Sequence, residues 1–355
     1  MNDILSIKKE YLLTGRGSAG IYLIVKTCGL KKVIAPSNLC YAALYPVLFA
    51  GAGLALADTD PITGNMNYGH FLSCREKEKD ADAVIVPHMY GNPCKDIFKI
   101  KKYCDKNGLI LIEDCASAMG AEMTGEEGEN VPAGSVGDYV IYSTGYAKTL
   151  DLGRGGVVTS DSSLEDMRIL NDTLPAFSAR IEKDETFFSR LYRMLRNDPE
   201  VSFGDEIYSV LREKTKNMFL YGPDKEYEKE LRERLGDLED EIASRRRILK
   251  LYEENICYGD YIRPYKYCEG AVPWRFNIFA APSHRRELIG RLLKKNVPVS
   301  DWYPDVSVMF GINEKHEGSS VFEEQILNFP LIRDEGMIKE IAEIINKEAM
   351  EIYGN

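Results

Sequence analysis

The chain has 355 residues, 44% of them apolar and 28% charged, enough to bury a large core in one big domain and a smaller one. No apolar run reaches the ~18 residues that a bilayer span requires; the longest candidate, Leu39 to Ala57, is interrupted by tyrosines, Pro46 and two glycines. A net charge of −11 argues against a nucleic-acid backbone as partner, although a locally held phosphate remains compatible with it. Eight cysteines without metal-ligand spacing read as free thiols in a reducing compartment, and the start MNDILSIKKEYLLTG lacks the pattern of an export leader. The expectation is a cytoplasmic protein with no metal site.

In chain order, GRGSAGIYLIVKTCGL (15–30) reads as a glycine-rich turn feeding a helix that closes at Gly29. Ser18 stands at its start, where free backbone amides hold a phosphate or where a serine simply caps the helix. KKVIAP is a short strand stopped by Pro36, residues 37–51 a helix, and GLALADTD a second strand emerging at Asp58 and Asp60. The beat repeats with a strand at 81–87, a helix at 95–107 and a strand at 109–113. Such alternation predicts an α/β protein with a mostly parallel sheet covered on both faces. Ligands of such sheets gather beyond the carboxyl ends of the strands, where Pro36, His88, Asp114 and Ser143 fall. The polar loop 121–136 is expected at the mouth of a pocket.

GDYVIYSTGYAKTLDLGRGGVVTS (137–160) holds two short strands around a glycine-rich loop that contains Lys148. A solvated hairpin lysine explains this loop, since burying an unpaired ammonium is costly. Asp114, at the end of LILIEDCASA, points instead to amine chemistry on a cofactor. A helix is expected over 164–174, followed by a less regular region from 178 to 240. Opposite charges at spacings of three and four over 224–250 predict one long connecting helix with a solvated face, with Arg245, Arg246 and Arg247 at a surface or interface. The division predicted is a large domain, 1–240, including a divergent 175–240 connection, and a small domain, 241–355. In the latter, YIRPYKY and VPWRFNIFA read as strands, HRRELIGRLLKKN as a helix with His284 at its start or on the surface, VPVSDWYP as extended chain, and MIKEIAEIINKEAMEIYG as a closing amphipathic helix.

A lysine amine condenses with an aldehyde to a Schiff base, the attachment mode of pyridoxal phosphate. That cofactor also needs an acid at its ring nitrogen and a cup for its phosphate. Lys148, Asp114, and the set Ser18, Ala19 and Ser143 offer these three. The ordered motifs Gly17–Gly20, Val33–Pro36, Ala50–Asp58, Pro87–Gly91, Glu113–Ala118, Ser143 with Lys148 and Gly153–Gly156, then Tyr303-Pro304 and Phe329–Leu331 resemble the DegT/DnrJ/EryC1/StrS family of pyridoxal-phosphate-dependent sugar aminotransferases. The resemblance runs from about residue 12 to the C-terminus, with a poor match over 175–240.

It implies a fold type I transferase: a mostly parallel seven-stranded sheet with helices on both faces, plus a small α+β C-terminal domain. It also implies a homodimer with shared active sites, and transfer of an amino group from a donor such as glutamate to the keto group of a nucleotide-linked sugar. Lys148 and Asp114 would be catalytic; Gly17, Ser18, Ala19, Cys40, Tyr41, Asp114, Ser117, Ser143 and Lys148 would hold the cofactor; and Arg16, His88, Tyr90, Arg154, Arg275 and Tyr303 would meet substrate. Three positions depart from the family pattern. Ser117 replaces a Gln or His, Arg154 replaces the acid of Gly-Glu-Gly-Gly, and SNLCYAA leaves Cys40 or Tyr41 to cover the ring. A lyase on the same fold, or a catalytically silent cofactor-binding regulator, would share these residues. A nicotinamide enzyme is disfavoured, because no strand is evident before the GRGSAG turn at Gly15.

Overall fold

The computed structural model describes residues 4–197 and 205–354. Nine strands come first: β1 (Glu10–Thr14), β2 (Lys32–Pro36), β3 (Gly53–Ala57), β4 (Ala83–Pro87), β5 (Ile110–Asp114), β6 (Glu122–Thr124), β7 (Asn130–Pro132), β8 (Tyr139–Ser143) and β9 (Gly156–Ser160). Seven of them form one sheet in the order β1-β9-β8-β5-β4-β2-β3. Its interior pairings, β2 with β3 and β4, β4 with β5, and β5 with β8, are parallel, while β9 is antiparallel to both β8 and β1.

The sheet is buried on both sides because its strands are apolar at successive positions, which point to opposite faces. Val33, Ala35, Ile85 and Ile112 pack on one face with α1 (Gly17–Thr27) and α2 (Tyr41–Phe49). Ile34, Val84, Val86 and Leu111 pack on the other with α3 (Tyr68–Lys77) and α4 (Ile97–Asn107).

Four expectations change. The helix predicted over 37–51 begins only at Tyr41, because Pro36 to Cys40 form a turn in which the Leu39 amide donates to the Pro36 carbonyl. A strand does precede Gly15; β1 lies antiparallel at the sheet edge, so no parallel β-α-β unit surrounds the glycine-rich turn. Residues 121–136 form the β6-β7 hairpin, which packs Met123 into the α3/α4 face and lies away from the cavity described below. The charged stretch 224–250 forms two helices parted at Gly236.

After the sheet come α5 (Glu165–Asn171), α6 (Ala179–Asn197), α7 (Asp205–Lys214), α8 (Tyr227–Leu235) and α9 (Leu238–Asn255). Phe188, Tyr192 and Leu195 of α6 and Tyr208 and Leu211 of α7 join the core around Tyr45 of α2. The described residues of α6 and α7 therefore form a packed wall beside the sheet. α9 starts in one hydrophobic cluster, beside the large sheet, at Leu238 and Ile242 and ends in another at Ile248 and Tyr252. There β10 (Ile262–Pro264), β11 (Phe276–Ala280) and β12 (Ile326–Phe329) form an antiparallel sheet. Beside it lie α10 (Arg285–Lys294), α11 (Glu317–Gln325) and α12 (Glu335–Tyr353). His284 is at the start of α10, as expected. Among the described residues no helix is long and apolar enough to cross a membrane.

Candidate active site

A cavity of about 410 Å³ opens at the carboxyl ends of β4, β5 and β8. Lys148, Asp114, Ser117, Ser143, Gly17, Ser18, Cys40 and Tyr41 all line it. Parallel strands end together on one edge of the sheet, so residues far apart in sequence arrive at the same place.

Lys148 sits in the loop between β8 and β9, and its amine donates to Ser117 Oγ at 3.0 Å. The loop is drawn tight by Asp151, whose carboxylate accepts from the Ala147 amide at 2.7 Å, and Ala147 takes φ 60°, a left-handed conformation costly for a residue with a Cβ. Arg245 of α9 donates to the Lys148 carbonyl at 2.8 Å and to the carbonyls of Pro273 and Trp274. It is therefore the brace of the Lys148 loop, where the sequence pattern had placed it at a surface or interface. Burial lowers the pKa of Lys148, with the charges of Asp114 and Cys40 opposing the shift.

Asp114 is the last residue of β5 and 7% exposed. Burial raises its pKa, against the pull of the Ala116 amide, which donates to Oδ1 at 2.9 Å, and of Lys148. A buried carboxylate in this state lacks a strong cationic partner other than Lys148. That is the environment in which a protonated ring nitrogen is a good ligand. Cys40 lies close enough to Lys148 and Asp114 to feel both charges, and burial pushes its thiol up. The Tyr41 ring turns to the wall, 4.9 Å from both Phe188 and Tyr192.

The start of α1 faces the same cavity through Gly17 and Ser18, and no side chain caps it. Uncapped first-turn amides are a ready anion site. Ala19 does not share in it, because it is wholly buried and its amide already donates to the Arg16 carbonyl at 3.0 Å. With lysine, aspartate, Ser143 and an open helix start on one cavity, the donor set fits pyridoxal phosphate.

The predicted substrate residues divide. Arg275 and Tyr303 line the cavity. His88 and Tyr90 border it too, but their polar atoms are spent on the scaffold. His88 meets Glu113 Oε1 at 2.9 Å and accepts from the Cys94 amide at 2.9 Å. Tyr90 is fully buried against Phe322, and its hydroxyl accepts from the Tyr303 amide at 2.9 Å. Burial opposes ionisation of Glu113, yet His88 and the amides of Gly137 and Gly134 outweigh it and hold the carboxyl below its ordinary range. These bonds use up the carboxylate, so the nearby grouping of His88, Glu113 and Cys115 is a brace behind Asp114.

Arg16 and Arg154 reach the rim but are paired. Arg16 donates to Glu185 of α6 at 2.5 Å and to the Met218 carbonyl, and Arg154 is clamped by Asp224 and by Glu230 at 2.8 Å. The lining also includes Glu185, Tyr221, Trp274 and Trp302, which the motifs did not announce. Glu185 comes from α6, Tyr221 from the segment between α7 and α8, and Trp274 and Trp302 from the chain beyond α9.

The sheet order, with this lysine and aspartate at its strand ends, defines the class of fold type I transferases. Residues 6–191 match the DegT/DnrJ/EryC1/StrS aminotransferase family, and the chain belongs to it. Among proteins similar in sequence, the GDP-perosamine synthase of Vibrio cholerae is 29% identical over 159 residues, 44% of this chain and 41% of that protein. The L-glutamine:2-deoxy-scyllo-inosose aminotransferase of Streptoalloteichus tenebrarius is 32% identical over 182 residues, 48% of this chain and 41% of that protein. The chain thus spans about 41% of the length of these relatives. The solved structure of an aminotransferase from Psychrobacter cryohalolentis shares the fold, with a TM-score of 0.76 at 18% identity over 99% of this chain and 90% of that one.

Proposed function

We propose that the protein is a pyridoxal-phosphate-dependent aminotransferase that moves an amino group from an amino acid, glutamate first among donors, to the keto group of a nucleotide-linked sugar or related carbonyl compound. The observation that carries this reading is the convergence of the Lys148 amine, the Asp114 carboxylate and the open start of α1 on one cavity. The names of the relatives, a perosamine synthase and an inosose aminotransferase, support a sugar-like acceptor. Eight free cysteines support a reducing, cytoplasmic setting. A homodimer is supported by α6, which exposes Phe187 and Met194 seven residues apart on one face.

When bound, pyridoxal phosphate supplies an electron sink for charge that develops beside the transferred nitrogen. The residues do the rest. Lys148 would hold the aldehyde carbon and, once released by the donor, carry the proton between the substrate carbon that bears the nitrogen and that former aldehyde carbon, in each half of the exchange. Its depressed pKa keeps a larger share of the amine neutral and nucleophilic near pH 7, and Ser117 fixes its position. Asp114 would hold the proton on the ring nitrogen. Gly17, Ser18 and Ser143 would hold the phosphate, and Cys40 lies against the same space.

The test is the visible absorbance of purified wild type and Lys148→Ala after incubation with the cofactor, recorded before and after glutamate. The reading predicts a visible band in the wild type that is absent in the variant and bleached by glutamate. A wild type that takes up no cofactor would sink it, and a band that no amino donor bleaches would leave a lyase or a silent regulator.

A further inference from the structure

Arg275 precedes β11, borders the cavity and, among the described residues, has no carboxylate within ion-pair distance. The other cationic side chains of the cavity are committed: Arg16 to Glu185, Arg154 to Asp224 and Glu230, and Lys148 to Ser117 beside Asp114. The guanidinium carbon of Arg275 lies over the Trp274 ring, 4.7 Å from its centre, and Nη1 donates to Ser300 Oγ at 3.1 Å. The Ser300 bond engages Nη1 and leaves the edge that carries Nε. Nε is buried without a partner.

Trp274, the next residue back, is 6% exposed and also lines the cavity, and its indole Nε1 is a second buried donor without a partner. Orphaned buried donors are rare in native proteins and each costs free energy, so two on adjacent residues of one cavity wall call for an acceptor that the protein itself does not provide. The missing acceptor must be anionic, to offset a desolvated guanidinium, and planar with two oxygens, to match the fork.

We propose that Arg275, with Trp274 beside it, is the carboxylate-recognition site of the substrate. This rests on the aminotransferase reading and deepens it. The carboxylate belongs either to the amino donor or to an acidic keto acceptor. Arg275 then fixes which end of the compound points at Lys148, and Ser300 sets the angle of the fork. Burial also lowers the pKa of the guanidinium, in keeping with a cation waiting for a counter-charge.

The experiment compares wild type, Arg275→Met and Arg275→Lys as holoenzymes. Cofactor uptake is measured first and is expected to be equal in all three. The donor arm follows the L-glutamate concentration that half-bleaches the visible band. The acceptor arm follows the KM of a carboxylated keto sugar against its neutral analogue. In one arm the required concentration should rise about 30-fold or more in Arg275→Met and less in Arg275→Lys, which keeps the charge and loses the fork. The arm that responds names the owner of the carboxylate. Unchanged values in both arms overturn the proposal. Loss of cofactor uptake in both variants also overturns it, since Arg275 would then serve the cofactor's phosphate.

A wild type that binds no cofactor sinks the aminotransferase reading alone, so the thermal midpoint with 2-oxoglutarate is recorded as well. A rise in wild type that vanishes in Arg275→Met supports the carboxylate site. No rise in wild type from either 2-oxoglutarate or the acidic sugar overturns it.

Discussion

The floor and the rim of the cavity are built differently. The floor, with Asp114, Lys148, Ser117 and the start of α1, rests on the ends of parallel strands within the stretch that matches the family. The rim, with Glu185, Tyr221, Trp274, Arg275 and Trp302, comes from α6 and from chain beyond it, and all of these but Glu185 lie outside that stretch. Strand ends are held by ladders of backbone bonds and by buried braces such as Glu113 with His88. Rim residues lie outside the sheet and are held by side-chain contacts and single backbone bonds, such as that from the Trp274 amide to the Tyr90 carbonyl at 2.9 Å. The contrast assigns chemistry to the floor and choice of substrate to the rim, and variants in each region ought to fail differently.

The largest effect is expected at the floor. Lys148→Ala should abolish transfer in steady-state assays while leaving the fold intact by circular dichroism. Asp114→Asn should keep the protein folded and lower kcat by about 100- to 1000-fold, the cost of losing a charge aimed at the reacting group.

Behind the floor, Glu113→Gln should destabilise the protein by about 3 kcal/mol in urea unfolding, because it breaks a buried pair. The pH dependence of that loss has a definite sign. The folded pKa of Glu113 lies below its ordinary value, so its stabilisation is complete above the ordinary glutamate range and is lost as pH falls through it towards the folded value. Wild-type stability should therefore drop more steeply than that of the variant below about pH 5. Equal slopes would remove Glu113 from its bracing role.

At the rim, effects shrink and change kind. Glu185→Gln breaks a half-exposed pair with Arg16, worth about 0–1 kcal/mol, so KM for the acceptor should change by less than about fivefold with kcat preserved. A collapse of kcat in this variant would erase the distinction between floor and rim.

The same division governs what could be read from the chain. The floor was legible because apolar strand runs, Pro36, the glycines near Lys148 and the acid after LILIE are local signals of strand ends. The parallel sheet and the positions of Lys148, Asp114, Ser18 and Ser143 followed from them, whereas Ser117 was pointed to only by the family resemblance. Arg245 was misread because Glu241, four residues earlier, pairs with it just as in a solvated helix. Nothing local distinguishes that pattern from one whose arginine turns inward to a carbonyl. His88 and Tyr90 stand at the right strand end but point their polar atoms into the scaffold, which only packing decides. Glu185 and Tyr221 reach the cavity because α6 and the segment after α7 fold against α2, a tertiary fact with no periodic signature.

The most direct test of the central claim is to load the wild type with pyridoxal phosphate, reduce it with borohydride and map the modified peptide by mass spectrometry. The account predicts a single pyridoxyl group on Lys148. A label on any other lysine, or none on a protein that holds the cofactor, would contradict it.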